Sequence, residues 1–196
     1  SNLKNCKIIF FSSQAVYAKS EKKIKENYKI FPSSYYGKTK LMAEKKLIKI
    51  KNNSIIILRL FSIYGKGLKK QIMWDTCKKF KNKKNNFFGN GEEIRDFLNI
   101  KDLMILLKKI VNSKFQPGFN IYNVGSGKGT KIRKIIDLIK SNFKIGKKII
   151  FNNIKNSSEN RNFISSNIKV EKKFSWRPKT ILKKEILIYV KWFKKI

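Results

Sequence analysis

Two short apolar runs constrain this chain most. KIIFFSS at residues 7–13 and SIIILRLF at 54–61 are continuous stretches of branched and aromatic side chains, without the polar alternation of a half-exposed strand. Runs of this length and composition predict strands buried on both faces, the condition of a parallel sheet. Parallel neighbours need a long crossover, usually a helix. The segment from Ser34 to about Lys51 supplies one, with Leu41, Leu47 and Ile48 set among charges at helical spacing. Strand, helix, strand is half of a doubly wound α/β sheet, whose ligands bind at the carboxyl ends of the strands. The first run closes there on Ser12 and Ser13, which read as ligand-facing hydroxyls or as simple loop serines.

Beyond residue 62 the pattern changes. QIMWDTCKKF (71–80) predicts a helix, NNFFGNGEEIRDFLNI (85–100) two short extended segments bounded by turns, and residues 101–111 another helix. Residues 119–143 predict a strand, a Gly-rich turn and a helix, and a last helix is expected at about 179–195. No internal repeat or long linker is present, and residues 152–160 are polar enough to be mobile.

The net charge of +35 first suggests a polyanion binder. Two features oppose that reading. The 42 lysines are spread along the whole chain, and arginine, the better residue for bidentate phosphate and base recognition, numbers only five. Abundant Ile and Asn accompany the lysines, as general compositional drift would produce. Drift is preferred and a selected polyanion surface stays open; no specific nucleic-acid partner is expected, and weak, salt-sensitive adhesion follows either way. Cys6 and Cys77 match no metal spacing, so no metal is expected, and they read as reduced thiols of a cytoplasmic protein. No apolar run approaches the ~18 residues that span a membrane. With no histidine, a general base must be Tyr, Lys, Asp, Glu or Cys.

YYGKTK (35–40) offers such a base. Tyr36 and Lys40 lie four apart, on one helix face, and a phenol beside an ammonium ion ionises more readily. Spacing alone proves little, because seven tyrosines among so many lysines give roughly 1.5 such pairs by chance, and the chain has one. The turn GSGKGT (125–130) reads either as part of a phosphate loop or as a strand-to-helix turn; it is one residue short of the Walker spacing. Arg95 in IRDF reads as a diphosphate grip or as a surface ion pair with Glu92 or Asp96. Trp176 in FSWRPKT reads as core.

The order of the pieces is more specific than any one. FFSSQAVYA, PSSYYGKTKLMAE, ILRLFSIYGKG, GNGEEIRDFLNIKDL, YNVGSGKG and FSWRPKT follow one another over nearly the whole chain. This order resembles the NAD-dependent epimerase/dehydratase family of extended short-chain dehydrogenases/reductases, and within it the nucleotide-sugar 4-epimerases. The resemblance implies an α/β fold: the C-terminal part of a Rossmann-like parallel sheet at residues 1–62, then a small mixed α/β substrate-binding domain at 63–196 with segments packing back on the sheet. It implies Ser13, Tyr36 and Lys40 as catalytic and cofactor-binding, with Phe61 also at the cofactor. Ser62, Arg95 and Arg161 are implied at a nucleotide-diphosphate sugar. The cofactor implied is NAD, with NADP the alternative. The activity implied is 4-epimerisation through a transient 4-keto sugar, with an NADPH-dependent 4-keto-sugar reductase or an inactive, polyanion-binding fragment as rivals.

Departures from the family pattern are specific. Ala18 replaces a glycine after the Val-Tyr pair, and Ser62 replaces an asparagine. Gln14 and Ala15 stand where dehydratases carry Asp-Glu, which disfavours 4,6-dehydration, and ISSN (164–167) lacks an acidic residue common there. Family members open with a strand, a Gly-rich turn and a helix that hold the NAD pyrophosphate. At ~30 residues per βαβ unit, roughly a hundred residues of that pattern are expected elsewhere, either upstream or on a separate chain. A homodimer is the other partner expected from the resemblance.

Overall fold

The computed structural model describes residues 4–143, 146, 148–154 and 162–196. In chain order the elements are β1 (Lys7–Ser13), a 3-10 turn (Gln14–Val16), α1 (Tyr35–Leu47), β2 (Ser54–Leu60), β3 (Ser62–Tyr64), α2 (Gln71–Lys81), β4 (Asn86–Phe87) and β5 (Ile94–Asn99). There follow α3 (Ile100–Val111), β6 (Gly118–Val124), β7 (Gly129–Lys131), α4 (Ile132–Phe143), β8 (Ile150–Phe151), α5 (Ile168–Phe174) and α6 (Leu182–Phe193).

Both apolar runs are strands. They pair in parallel, and β6 joins the far side of β2, giving the order β1-β2-β6. The central strand is buried over almost its whole length, as its unbroken Ile-Leu run requires. The register is in phase, so Ser13, Leu60 and Val124 end at one level and form a common carboxyl edge. Ile56 and Leu58 pack with Tyr122 and Val124 against Leu103, Leu106 and Ile110 of α3 and Val170 and Phe174 of α5. The Lys7 ammonium donates to the carbonyls of Ile110, Val111 and Ser113, satisfying the open C-terminus of α3.

Trp176 belongs to this core, and its indole N–H donates to Asp102 O at 3.0 Å. The Asp102 carboxylate in turn accepts from Lys179 N, Thr180 N and Thr180 Oγ1, so the FSWRPKT segment is hooked onto the first turn of α3.

The second lobe gathers α2, α4 and α6 around Met73, Cys77, Phe80, Ile135, Ile139, Tyr189 and Phe193. Its sheet runs β3-β5-β7, with β5 parallel to β3 and antiparallel to β7. The two extended segments predicted in 85–100 do not pair with each other; β4 pairs with β8 instead. Of the stretch expected to be mobile, residues 155–160 lie outside the described residues. Asn152 is tied down, donating from its backbone to Phe87 O and accepting from Gly89 N. Among the described residues no helix is long and apolar enough to cross a membrane.

Candidate active site

Helix α1 begins on Ser34, whose hydroxyl accepts from Gly37 N at 3.1 Å. Its inner face is not the apolar stripe that the sequence predicts. Leu41, Leu47 and Ile48 are only half-buried, while Gly37 and Glu44 are the buried positions. Gly37, Lys40 and Glu44, spaced three and four apart, dock the helix onto the end of β1. A Cβ on Gly37 would lie 2.3 Å from Ala15 O, so only glycine lets the helix press against the Ser13–Val16 turn. One turn on, Lys40 Nζ donates to Phe11 O at 2.8 Å and lies over the rings of Phe10 and Tyr36. A further turn on, Glu44 accepts from the Ser12 hydroxyl.

Beneath this contact a polar row crosses the sheet. Ser12, Arg59 and Asn123 are register neighbours on β1, β2 and β6. The Arg59 guanidinium grips Glu44 through Nε (3.0 Å) and Nη2 (2.6 Å), and its Nη1 donates to Tyr17 Oη at 2.8 Å and to Glu26 O at 3.2 Å. Tyr17 donates on to Asn123 Oδ1 at 2.7 Å. Burial pushes the Tyr17 phenol up to about 12, against the opposing pull of the adjacent guanidinium. The tyrosine of the Val-Tyr element is thus a neutral strut. Sequence reasoning passed over Arg59, although a charge inside an otherwise apolar strand signals a buried pair.

A cleft of about 740 Å³ opens between the carboxyl edge of the first sheet and the second lobe. Ser13, Tyr36, Lys40, Phe61, Ser62 and Arg95 all line it. Ser13 caps the 3-10 turn, its Oγ accepting from Ala15 N at 3.2 Å. Tyr36 is exposed in the mouth of the cleft. Phe61 is buried against Val16, Tyr17, Ile24 and Phe163, and its N–H donates to Val124 O. Arg95 sits half-buried on β5. Its two suggested ion-pair partners hold other groups: Glu92 pairs with Lys131 and Arg133, and Asp96 binds the neighbouring turn. Arg161 lies outside the described residues.

The phosphate-loop reading of GSGKGT fails. Asp96, fully buried, accepts from Ser126 N (2.5 Å), Ser126 Oγ (2.6 Å) and Gly127 N (3.0 Å), and from the backbone and hydroxyl of Ser165. The amides that would cradle a phosphate hold an internal carboxylate. A Cβ on Gly125 would meet Asp96 Oδ2 at 2.4 Å, which explains the glycine.

Sequence reasoning missed the opposite wall. Gln71, Asp75 and Lys79 recur every four residues on α2 and line the cleft with Phe88 and Glu93. Their stripe was legible as the polar side of an amphipathic helix, but nothing in the sequence says that this side meets the cleft. Two cleft-lining side chains also hold buried polar atoms with no partner among the described residues: Gln14 Oε1 and Thr76 Oγ1.

Comparison with known proteins identifies the family and the fold. The family model "NAD dependent epimerase/dehydratase family" matches residues 1–125. A protein of Methanocaldococcus jannaschii provisionally named UDP-glucose 4-epimerase is 31% identical over 96% of this chain and 63% of its own length. A dTDP-4-dehydro-6-deoxyglucose reductase of Escherichia coli is 31% identical over 90% of this chain and 58% of its own. Among solved structures, a UDP-glucuronic acid 4-epimerase of Bacillus cereus, in complex with UDP-glucuronic acid and NAD, superposes with a TM-score of 0.84 at 25% identity. That match covers 96% of this chain and 62% of the other. This chain therefore spans about three fifths of the length of these relatives.

Proposed function

This chain belongs to the NAD-dependent epimerase/dehydratase family, and on that premise we propose that it carries the catalytic and sugar-binding part of a nucleotide-sugar 4-epimerase. The observation that supports this most is the convergence of Ser13, Tyr36, Lys40, Ser62 and Arg95 on one cleft at the sheet's carboxyl edge. In this reading residues 1–62 present the reacting groups and 63–196 mainly hold the nucleotide sugar.

Arg95, with Arg161, grips the diphosphate, and the sugar reaches across the cleft to Ser13 and Tyr36. Tyr36 takes the proton from the C4 hydroxyl, and Ser13 bonds to the same oxygen as it becomes a carbonyl. Bound NAD supplies the acceptor for the hydride that leaves C4. Lys40 suits the ribose end of such a cofactor: its ammonium spends one N–H on Phe11 O and has two more for the cleft it lines. The adenosine and pyrophosphate end is assigned to no residue of this chain. Remote grip on the diphosphate lets the 4-keto sugar turn and be reduced on its other face.

The test is Tyr36→Phe in the full-length protein bearing this chain, assayed with NAD for interconversion of UDP-glucose and UDP-galactose. Turnover should fall about 10²–10⁴-fold, with little change in KM. Unchanged turnover removes Tyr36 as the base. The similarity to the Escherichia coli reductase favours a second reading, NADPH-dependent reduction of a 4-keto sugar by the same residues. Consumption of NADPH with dTDP-4-keto-6-deoxyglucose, without epimerisation of UDP-glucose, would establish that reading instead.

A further inference from the structure

We propose that Gln14 is a specificity-determining contact for the sugar, its side-chain amide bonding to the C3 or the C6 hydroxyl, the two that neighbour the reacting C4 hydroxyl. The inference rests on the nucleotide-sugar reading of the cleft. Buried polar atoms are almost always paired, and an exception in a native fold calls for a reason. Gln14 Oε1 is such an exception, and the side chain that carries it lines the cleft.

Its position is fixed by the backbone. Gln14 follows Ser13 directly on the turn that closes β1, and both line the cleft. The turn that carries both is held by the Ser13 Oγ bond to Ala15 N, by Tyr17 N donating to Gln14 O, and by Gly37 pressed against Ala15. Little ordering remains to be done when a sugar arrives. The residue is only partly buried and lines the cleft, and its terminal amide torsion is soft and two-fold, so a turn about it can present either end of the amide. A hydroxyl both donates and accepts, and so pairs with either end.

Thr76 Oγ1, the other unpartnered atom, makes a natural contrast. It is fully buried on α2, backed by Met73, Cys77 and Phe80. No adjacent reactive group aligns it with the sugar, and a hydroxyl against a packed core has no soft torsion to carry it out.

The experiment measures kcat/KM of the full-length protein bearing this chain for UDP-glucose and its 3-deoxy and 6-deoxy analogues. A site that bonds a hydroxyl rejects the analogue lacking it, so the natural protein should prefer UDP-glucose over one analogue by at least about 10-fold. Gln14→Leu should bring that ratio to within about twofold of unity, with UDP affinity and melting temperature retained. Thr76→Val should leave the ratio where it was. If the leucine variant fails to fold, Gln14→Met keeps the length without a hydrogen-bonding amide and should also compress the ratio. A ratio that neither variant moves, or a natural protein indifferent to both deletions, overturns the inference and leaves the epimerase reading standing. No turnover of any of the three sugars by the natural protein overturns both.

Discussion

At the scale of single residues, Asp96 is the group whose role was least visible beforehand. Its sequence neighbour Arg95 drew attention because it could be matched to a task, whereas the partners of Asp96 lie 30 and 69 residues away. A local pattern cannot reveal a carboxylate that collects donors from two distant loops. Five N–H and O–H groups converge on it, and all suit an anion. Asp96→Asn would remove the charge and turn an NH₂ group toward donors. The expected loss is about 2–4 kcal/mol of stability, read as a lowered urea midpoint. An unchanged midpoint would mean that the donors are held by other contacts.

At the scale of elements, the strands were the most legible part. Their apolar runs carry the signal internally, and β1 coincides with the predicted span. Strands β3, β7 and β8 were not foreseen, because two or three residues hold no period and exist only through their neighbours. Helix α1 starts where Ser34 predicts but ends at Leu47, short of the expected Lys51, and its buried face was misjudged: a glycine, a lysine and a glutamate do the docking. Gly37→Ala tests that docking. Helix propensity favours alanine by about 1 kcal/mol, but its Cβ meets the rigid Ala15 carbonyl. Net destabilisation of about 1–3 kcal/mol is expected. The shift also carries Tyr36 away from Ser13, so kcat should fall more than KM rises. A variant with higher stability and full turnover would show that the contact relaxes freely.

At the scale of the whole molecule, buried protonated acids set a limit on the alkaline side. Burial pushes the phenols of Tyr17 and Tyr64 up to about 12 from 10.0, and the Cys77 thiol up to about 12 from 9.0. Unfolded, these groups release their protons near their ordinary values; folded, they keep them longer. Stability is therefore complete below about pH 9 and is lost as pH rises towards 12. Urea midpoints between about pH 8 and 11, in about 0.5 M salt to screen lysine repulsion, should fall steadily. A flat profile would mean that the phenols ionise without unfolding.

The charge excess, read from composition alone, hid the cation on which the site's floor depends. Arg59 serves Glu44, Tyr17 and Glu26 at once. An ammonium has three N–H groups on a single atom, and cannot span that triangle. Whatever pressure exchanges guanidinium for ammonium across the surface of this molecule meets a barrier of shape at position 59. Variants accumulated under a lysine-favouring regime should thus stay permissive over most of the surface and turn intolerant at that buried cation.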